Sequence, residues 1–302
     1  MKIAITGSSG LVGSALVPFL LTGGHQVIRL VRQASETNND GTTSILWNPE
    51  QVQLNVTELE GVDAVINLAG ENIAGKRWTD EQKKRILDSR VKGTSLLART
   101  LSQLKQPPKA FFSASAIGYY PPNGDQILTE TSAAGTGFLS EVCQAWEAAT
   151  KPAEDVGIRT IHGRIGIVLS AKGGALAAQL PLFRWGLGGR IGPGTQYTPW
   201  IAMYDLIAAI LYCVMQESMR GAANLTAPGI VTNQEFTKTL GHVLHRPTFL
   251  PAPAWALRLA LGEMADGLLL PSLKVVPERL QQAGFVFTYP QLEPALRHLL
   301  AQ

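Results

Sequence analysis

Apolar residues fall in short runs separated by glycine turns and by stretches of helical period. Ile3, Ala4 and Ile5 form the first run. Thr6 to Gly13 then reads T-G-x-x-G-x-x-G, and Ser14 to Leu21 is amphipathic and ends at Gly23-Gly24. This order predicts a strand, a tight glycine turn and a helix. Gln26 to Val31 predicts a second strand and Thr43 to Trp47 a short third. Ala64 to Gly70 predicts a parallel strand with small residues at its C-terminal end. A long helix is expected from Thr79 to Leu104, because Thr79 can cap it and Asp80 and Glu81 suit its positive first turn. Pro107-Pro108 keep the helix from running on. Ala110 to Ala114 predicts a strand, Leu139 to Ala153 a helix, and Arg159 to Leu169 a single buried strand.

Strands alternating with helices predict an α/β fold, a Rossmann-type doubly wound parallel sheet. The pattern changes near residue 170. Gly173 to Gly194 is glycine-dense and reads as a long functional loop, in which 186–194 cannot be a regular element. Asp205 to Met215 predicts a helix with Asp205 as its N-cap, and Thr232 to Glu235 is a capping box opening a helix to Leu244. From Phe249 onward the segments are short, apolar and bounded by proline. The expected division is a dinucleotide-binding domain over 1–170, with a strand and helix returning to it around 195–230. A small, mostly helical substrate-side portion is expected over 171–302.

Composition narrows the function. The chain of 302 residues is 45% apolar and 16% charged, against ~25% charged in an average domain. A net charge of +3 with no run of Lys or Arg argues against nucleic acid as a partner. Cys143 and Cys213 have no Cys or His neighbours at metal spacing, so they read as reduced thiols of a cytoplasmic protein, and no metal is expected. No secretory leader is expected, and Leu206 to Met215 is too short to span a bilayer. Pro253 to Leu270 carries more apolar residues than one helix face needs, which suggests an exposed patch and a homodimer.

The glycine turn carries the candidate chemistry. A helix N-terminus presents unpaired N–H groups and a positive dipole end, and a pyrophosphate fits there when no Cβ intervenes. Gly7 suits the turn, Gly10 the close approach and Gly13 the packing of helix on strand. At the end of the second strand an Asp or Glu would accept from a ribose 2′-OH. Here stand Arg29 and Arg32, with no acid until Glu36. A guanidinium suits a 2′-phosphate, so NADP(H) is expected over NAD(H), although Arg32 also reads as a solvated residue at a strand end.

TGSSGLVG at 6–13, VDAVINLAGENIAGKRW at 62–78, SRVKGT at 89–94, SASAIGYY at 113–120, GRIGIVLSAKGGAL at 163–176, GLGGRIGPGTQYTPWI at 186–201 and HRPTFLPAPAWALRLALGEMAD at 245–266 all share one likeness. The chain resembles the extended short-chain dehydrogenases/reductases, specifically the YfcH-like branch of NAD(P)-dependent epimerase/dehydratase proteins, over essentially its whole length. The segment 245–302 resembles that branch's own C-terminal module. The resemblance implies that Gly7, Ser9, Gly10, Leu11, Val12 and Gly13 line the pyrophosphate and that Arg32 faces the adenosine ribose. It places Leu68, Ala69 and Gly70 along the cofactor. Arg90, Ile165, Gly166 and Val168 lie on its nicotinamide side.

The superfamily's chemistry uses a Ser or Thr, a Tyr and a Lys. Ser115 matches the Ser. Counting onward, Ser140 and Gln144 occupy the Tyr and Lys places, and no Y-x-x-x-K occurs anywhere in the chain. Neither replacement supplies a group of neutral pKa. Tyr119 and Tyr120 are candidates for the missing phenol, or pack without reacting. Glu147 is a candidate acid/base, or a structural ion pair beside Trp146. The family usually carries a histidine where Ala202 stands. Trp78, Arg190, Gln196 and Trp200 are candidate substrate contacts that suit an anionic, ring-bearing molecule such as a nucleotide sugar, or form a closed structural cluster. Two functions fit these residues. One is an NADP(H)-dependent oxidoreductase or epimerase with a non-standard acid/base, acting on a sugar-nucleotide-like or other small carbonyl or hydroxyl substrate. The other is a catalytically silent NADP(H)-binding sensor.

Overall fold

The computed structural model describes residues 1–33 and 40–300; Glu36 lies outside them. Along the chain run the strands β1 (Lys2–Thr6), β2 (Gln26–Val31), β3 (Thr43–Asn48), β4 (Gln53–Leu54), β5 (Ala64–Asn67), β6 (Ala110–Ala116), β7 (Ile127–Leu128), β8 (Arg159–Ile165), β9 (Ile167–Leu169), β10 (Trp200–Ala202), β11 (Gly221–Leu225) and β12 (Lys274–Val275). The helices are α1 (Gly13–Thr22), α2 (Asp80–Ser102), α3 (Phe138–Ala148), α4 (Lys151–Asp155), α5 (Gly174–Arg184), α6 (Met203–Met215), α7 (Asn233–Leu244), α8 (Ala254–Leu261), α9 (Glu278–Gln282) and α10 (Leu292–Leu300).

Alternation along the strands builds two cores from one sheet. Ile3 and Ile5 face one side with Val27, Ile66, Phe112 and Ile161, beneath α1 and α6. Ala4 faces the other with Ile28, Leu30, Val65 and Phe111, against Leu97 and Leu101 of α2. Burial on both faces is what a parallel sheet between helix layers requires. The eight-stranded order is β11-β8-β6-β5-β1-β2-β3-β4, and every pairing but β3–β4 is parallel. The order reverses at β1, so the crevice beyond the C-terminal ends of β1 and β5 is the topological switch point, where open α/β sheets bind ligands. A third core joins Leu169, Leu176, Phe183, Trp200, Phe236, Leu240 and Leu296 beside this sheet. Among the described residues, no helix is long and apolar enough to cross a membrane.

Thr79 caps α2 as expected, its Oγ1 accepting from the Gln82 N–H at 3.2 Å, and Thr232 and Glu235 form the capping box of α7. Four local expectations are corrected. The helix expected over 139–153 is two helices, because Pro152 lacks an N–H and breaks the ladder at the start of α4. The strand expected over 159–169 is two strands in different sheets. Gly166 donates to Leu225 O at 3.1 Å, whereas Ile167 donates to Pro199 O at 2.8 Å and carries β9 across to β10. Within the glycine-dense stretch, residues 174–184 are helical, because Leu176, Leu180 and Phe183 recur on one buried face. Asp205 is not an N-cap. Its carboxylate is 1% exposed and accepts from the backbone N–H groups of Thr288 and Tyr289, which ties the C-terminal segment to α6.

Candidate functional site

The glycine turn has no room for side chains. Gly7 has φ +67°, and a Cβ there would sit 2.8 Å from the Leu68 carbonyl group. A Cβ on Gly13 would sit 2.2 Å from Gly7 O and 2.7 Å from Ser8 Cα. Both contacts are backbone on backbone, so helix, turn and strand are held together only if these positions are bare. Thr6 Oγ1 donates to Asn67 Oδ1 at 2.6 Å and accepts from the N–H groups of Leu68 and Ala69, joining the ends of β1 and β5. Ser9 and Gly10 are exposed, Leu11 and Val12 half-buried. No acid lies in the first turn of α1. A bare backbone at a positive helix end therefore opens to solvent at the switch point, and a dinucleotide pyrophosphate fits it.

At the adenosine end the two arginines separate. Arg29 donates to Thr42 Oγ1 at 3.0 Å and is ion-paired with Asp40. Arg32 stands exposed just past β2 and has no bonded partner among the described residues. On the other side of the crevice, Leu68, Ala69, Ile165, Gly166 and Val168 are half-buried at strand ends, and Gly70 is exposed. Arg90 donates to Glu71 O and Ile86 O at 3.1 Å and lies 4.9 Å from the Trp146 ring, so it holds the loop after β5 in place. Burial lowers its pKa.

At the C-terminal ends of β6 and β8 lies a buried polar cluster. Ser115 Oγ donates to Glu147 Oε1 at 2.7 Å. Arg164, 4% exposed, grips the same carboxylate through Nε at 2.8 Å and Nη2 at 2.9 Å. Its Nη1 donates to Tyr120 Oη at 2.9 Å, and that phenol donates to Asn224 Oδ1 at 2.7 Å. The Tyr119 ring lies 3.4 Å from the Arg164 guanidinium carbon. Burial by itself would lower the Arg164 pKa; the Glu147 hydrogen bonds and charge outweigh it and leave it raised. Burial pushes Tyr120 up to about 12, so its proton stays on oxygen near neutrality. Burial likewise pushes the nearby Cys143 thiol up to about 11.

Ser140 and Gln144 have structural work here. Ser140 Oγ donates to Tyr119 O at 2.8 Å, and Gln144 Nε2 donates to Ser140 Oγ at 3.1 Å and Gly135 O at 3.4 Å. Together they brace the loop that carries Tyr119. The candidate substrate contacts are dispersed. Arg190 donates to Pro193 O at 3.1 Å and Gln196 to Ile191 O at 2.9 Å, in one turn of the glycine loop. Trp78 bonds Ile73 O and packs edge-on against Phe138. Trp200 is 1% exposed inside the third core, its indole N–H donating to Gly229 O at 2.9 Å.

Sequence reasoning passed over Arg164, His162, Asn67 and Thr94. Asn67 Nδ2 and Trp146 Nε1 both donate to Thr94 Oγ1, at 2.8 Å and 2.9 Å, beneath the cluster. The available signal was a cation inside an apolar strand, since a charge at such a position needs a partner.

A doubly wound sheet, a bare glycine turn at its switch point and a Ser-bearing cluster at the C-terminal end of β6 define an NAD(P)-binding protein of the short-chain dehydrogenase/reductase kind. The chain belongs to the NAD dependent epimerase/dehydratase family, which it matches over residues 3–225. Residues 252–299 match a domain of unknown function, DUF1731. An epimerase family protein of Mycobacterium leprae is 41% identical over 98% of this chain and 94% of its own length. The human epimerase family protein SDR39U1, crystallised with NADPH, is 33% identical, with a TM-score of 0.91 over 100% of both chains. The nucleoside-diphosphate sugar epimerase of Corynebacterium glutamicum is 36% identical, with a TM-score of 0.81 over 99% of this chain and 58% of its own.

Proposed function

We propose that this protein binds NADP(H) in preference to NAD(H) and is an oxidoreductase or epimerase for a sugar-nucleotide-like or other small carbonyl or hydroxyl substrate. Gly7, Ser9, Gly10, Leu11, Val12 and Gly13 hold the pyrophosphate. Arg32, without a bonded partner among the described residues where Arg29 is committed, takes the 2′-phosphate. Leu68, Ala69, Gly70, Arg90, Ile165, Gly166 and Val168 border the rest of the cofactor, which when bound supplies hydride exchange. The proton half of the reaction belongs to the cluster at the C-terminal end of β6. The 2.7 Å hydrogen bond from Ser115 to Glu147 carries this reading, because it joins a hydroxyl at the strand end to a carboxylate that can receive its proton. Arg164 fixes Glu147 and Tyr120 fixes Arg164, while Tyr119 and Glu147 are half-buried where Ser115, Tyr120 and Arg164 are buried. Arg190 and Gln196 meet substrate from the glycine loop and Trp78 from the loop before α2, while Trp200 lies in the third core with its indole N–H on Gly229 O. The division into a cofactor part over 1–170 and a substrate-side part over 171–302 belongs to the same reading.

The test is NADPH consumption against a panel of aldehydes, ketones and nucleotide-sugar ketones, with epimerisation followed by proton NMR. Turnover abolished in Ser115→Ala and Glu147→Gln supports the assignment. Tight NADPH binding with no turnover on any compound overturns it in favour of a sensor.

A further inference from the structure

His162 stands on β8 two residues before Arg164, between Glu147 and a second carboxylate, Glu154 of α4. Its Nε2 lies 3.2 Å from Glu154 Oε1 and 2.9 Å from Thr150 Oγ1, and its Nδ1 lies 3.9 Å from Glu147 Oε2. The side-chain exposures rise along this line, from 12% at Glu147 and 15% at His162 to 36% at Glu154. The strands on either side contribute no charge at this level, since His162 pairs with Ser113 and Ala222. Glu147, Glu154 and Arg164 are the charged groups nearest to it on α3, α4 and β8, and on α4 Lys151 adds a positive charge that acts on Glu154 and is itself paired with Asp155. Of the two neutral tautomers, a carboxylate facing Nε2 favours the one with its proton there, which leaves the Nδ1 lone pair facing Glu147. The His162 hydrogen bond is the largest cause holding the Glu154 carboxyl below its ordinary range.

We propose that His162 and Glu154 form the solvent-side arm of the acid/base cluster, through which the proton that Ser115 passes to Glu147 reaches bulk water. This rests on the Ser115–Glu147 reading of the preceding section. When a substrate hydroxyl is oxidised, its oxygen releases one proton to Ser115 as the Ser115 proton moves to Glu147. Glu147 takes that proton on Oε1, a half-turn of its carboxyl group presents it to Nδ1 of His162, the Nε2 proton leaves to Glu154, and Glu154 loses it to water. One proton enters and one leaves, the hydride of the same oxidation going to the oxidised nicotinamide dinucleotide of the proposed function, and carbonyl reduction runs the chain in reverse. The 3.9 Å step exceeds hydrogen-bond length and closes with a shift of about 1 Å. His162 acts through Glu147 and is a positioning residue in that sense.

The experiment is ¹⁵N-histidine NMR on the full-length protein, with His162 assigned by H162Q. The relay requires the neutral ring to carry its proton on Nε2, and requires Glu147→Gln to move the His162 titration midpoint to lower pH. A ring protonated on Nδ1 overturns the relay in the unmutated protein, even if Glu147→Gln fails to fold. A midpoint that responds to Glu154→Gln and not to Glu147→Gln also overturns it, leaving a histidine that only pins α4. These readouts need no turnover. A failure of the catalytic reading would appear as inactivity on the substrate panel, and a failure of the relay as an uncoupled ring.

Discussion

Replacing Arg164 with Met removes one cation from a place where water cannot replace it. Its side chain is 5% exposed and that of Glu147 12%. Wild-type Glu147 accepts from Arg164 twice and from Ser115 once. In Arg164→Met only the Ser115 bond remains, and the Tyr120 phenol loses the donor at 2.9 Å. Removing one partner of a buried pair costs about 3–5 kcal/mol, because the other charge stays buried without compensation. A chain of this size loses roughly 2–3 °C per kcal/mol, so Tm falls by about 6–15 °C. The matched variant Arg164→Met with Glu147→Leu removes both charges and recovers most of that loss, since apolar replacement of a whole buried pair is often neutral. Urea unfolding with an unchanged m-value, together with thermal scans, reads both variants. A single variant that loses less than about 1 kcal/mol behaves as an exposed pair would. That result would refute the picture of a dry, clamped carboxylate.

Gly13→Ala sets a Cβ 2.2 Å from Gly7 O, and no flexible atom can give way. The expected result is a loss of about 1–3 kcal/mol and at least tenfold weaker NADPH binding, read by calorimetry. Unchanged affinity would show that the turn is not the cradle. Alkaline pH is the second handle. Cys143, Tyr120 and Cys213 are raised to about 11, 12 and 12, in each case first by burial. The folded state keeps these protons to higher pH than the unfolded chain does. Unfolding therefore releases protons, and stability falls as pH rises from about 9 towards 12. Urea midpoints flat over that range in wild type would contradict the burial argument, and Cys143→Ala should lessen the slope.

How much of the fold is legible in the chain depends on how local each signal is. The β1 run, the T-G-x-x-G-x-x-G turn and the Thr79 cap are legible because their partners lie within a few residues. Asp205 misleads for the opposite reason. Its carboxylate meets the N–H groups of Thr288 and Tyr289, more than eighty residues away, and a cap is the only local role an acid has at that place. The turn from β8 into β9 at Gly166 hides in an unbroken apolar run, since only tertiary pairing separates the two strands. The candidate catalytic residues Ser115 and Glu147 are visible one by one. Their union is not, because Arg164, which clamps the pair, looks in sequence like one more position of a buried strand. Ser140 and Gln144 show the limit of counting. Their spacing marks the places of a missing Tyr and Lys, and the structure shows them bracing the loop that carries Tyr119.

The proposed nucleotide site has its adenosine end read by Arg32. Calorimetric titration of the wild type and Arg32→Ala with NADPH and with NADH tests it most directly. The expected result is tight NADPH binding to the wild type, weaker NADH binding, and a loss in Arg32→Ala confined largely to NADPH. Equal losses for both nucleotides, or no binding of either to the wild type, would contradict it.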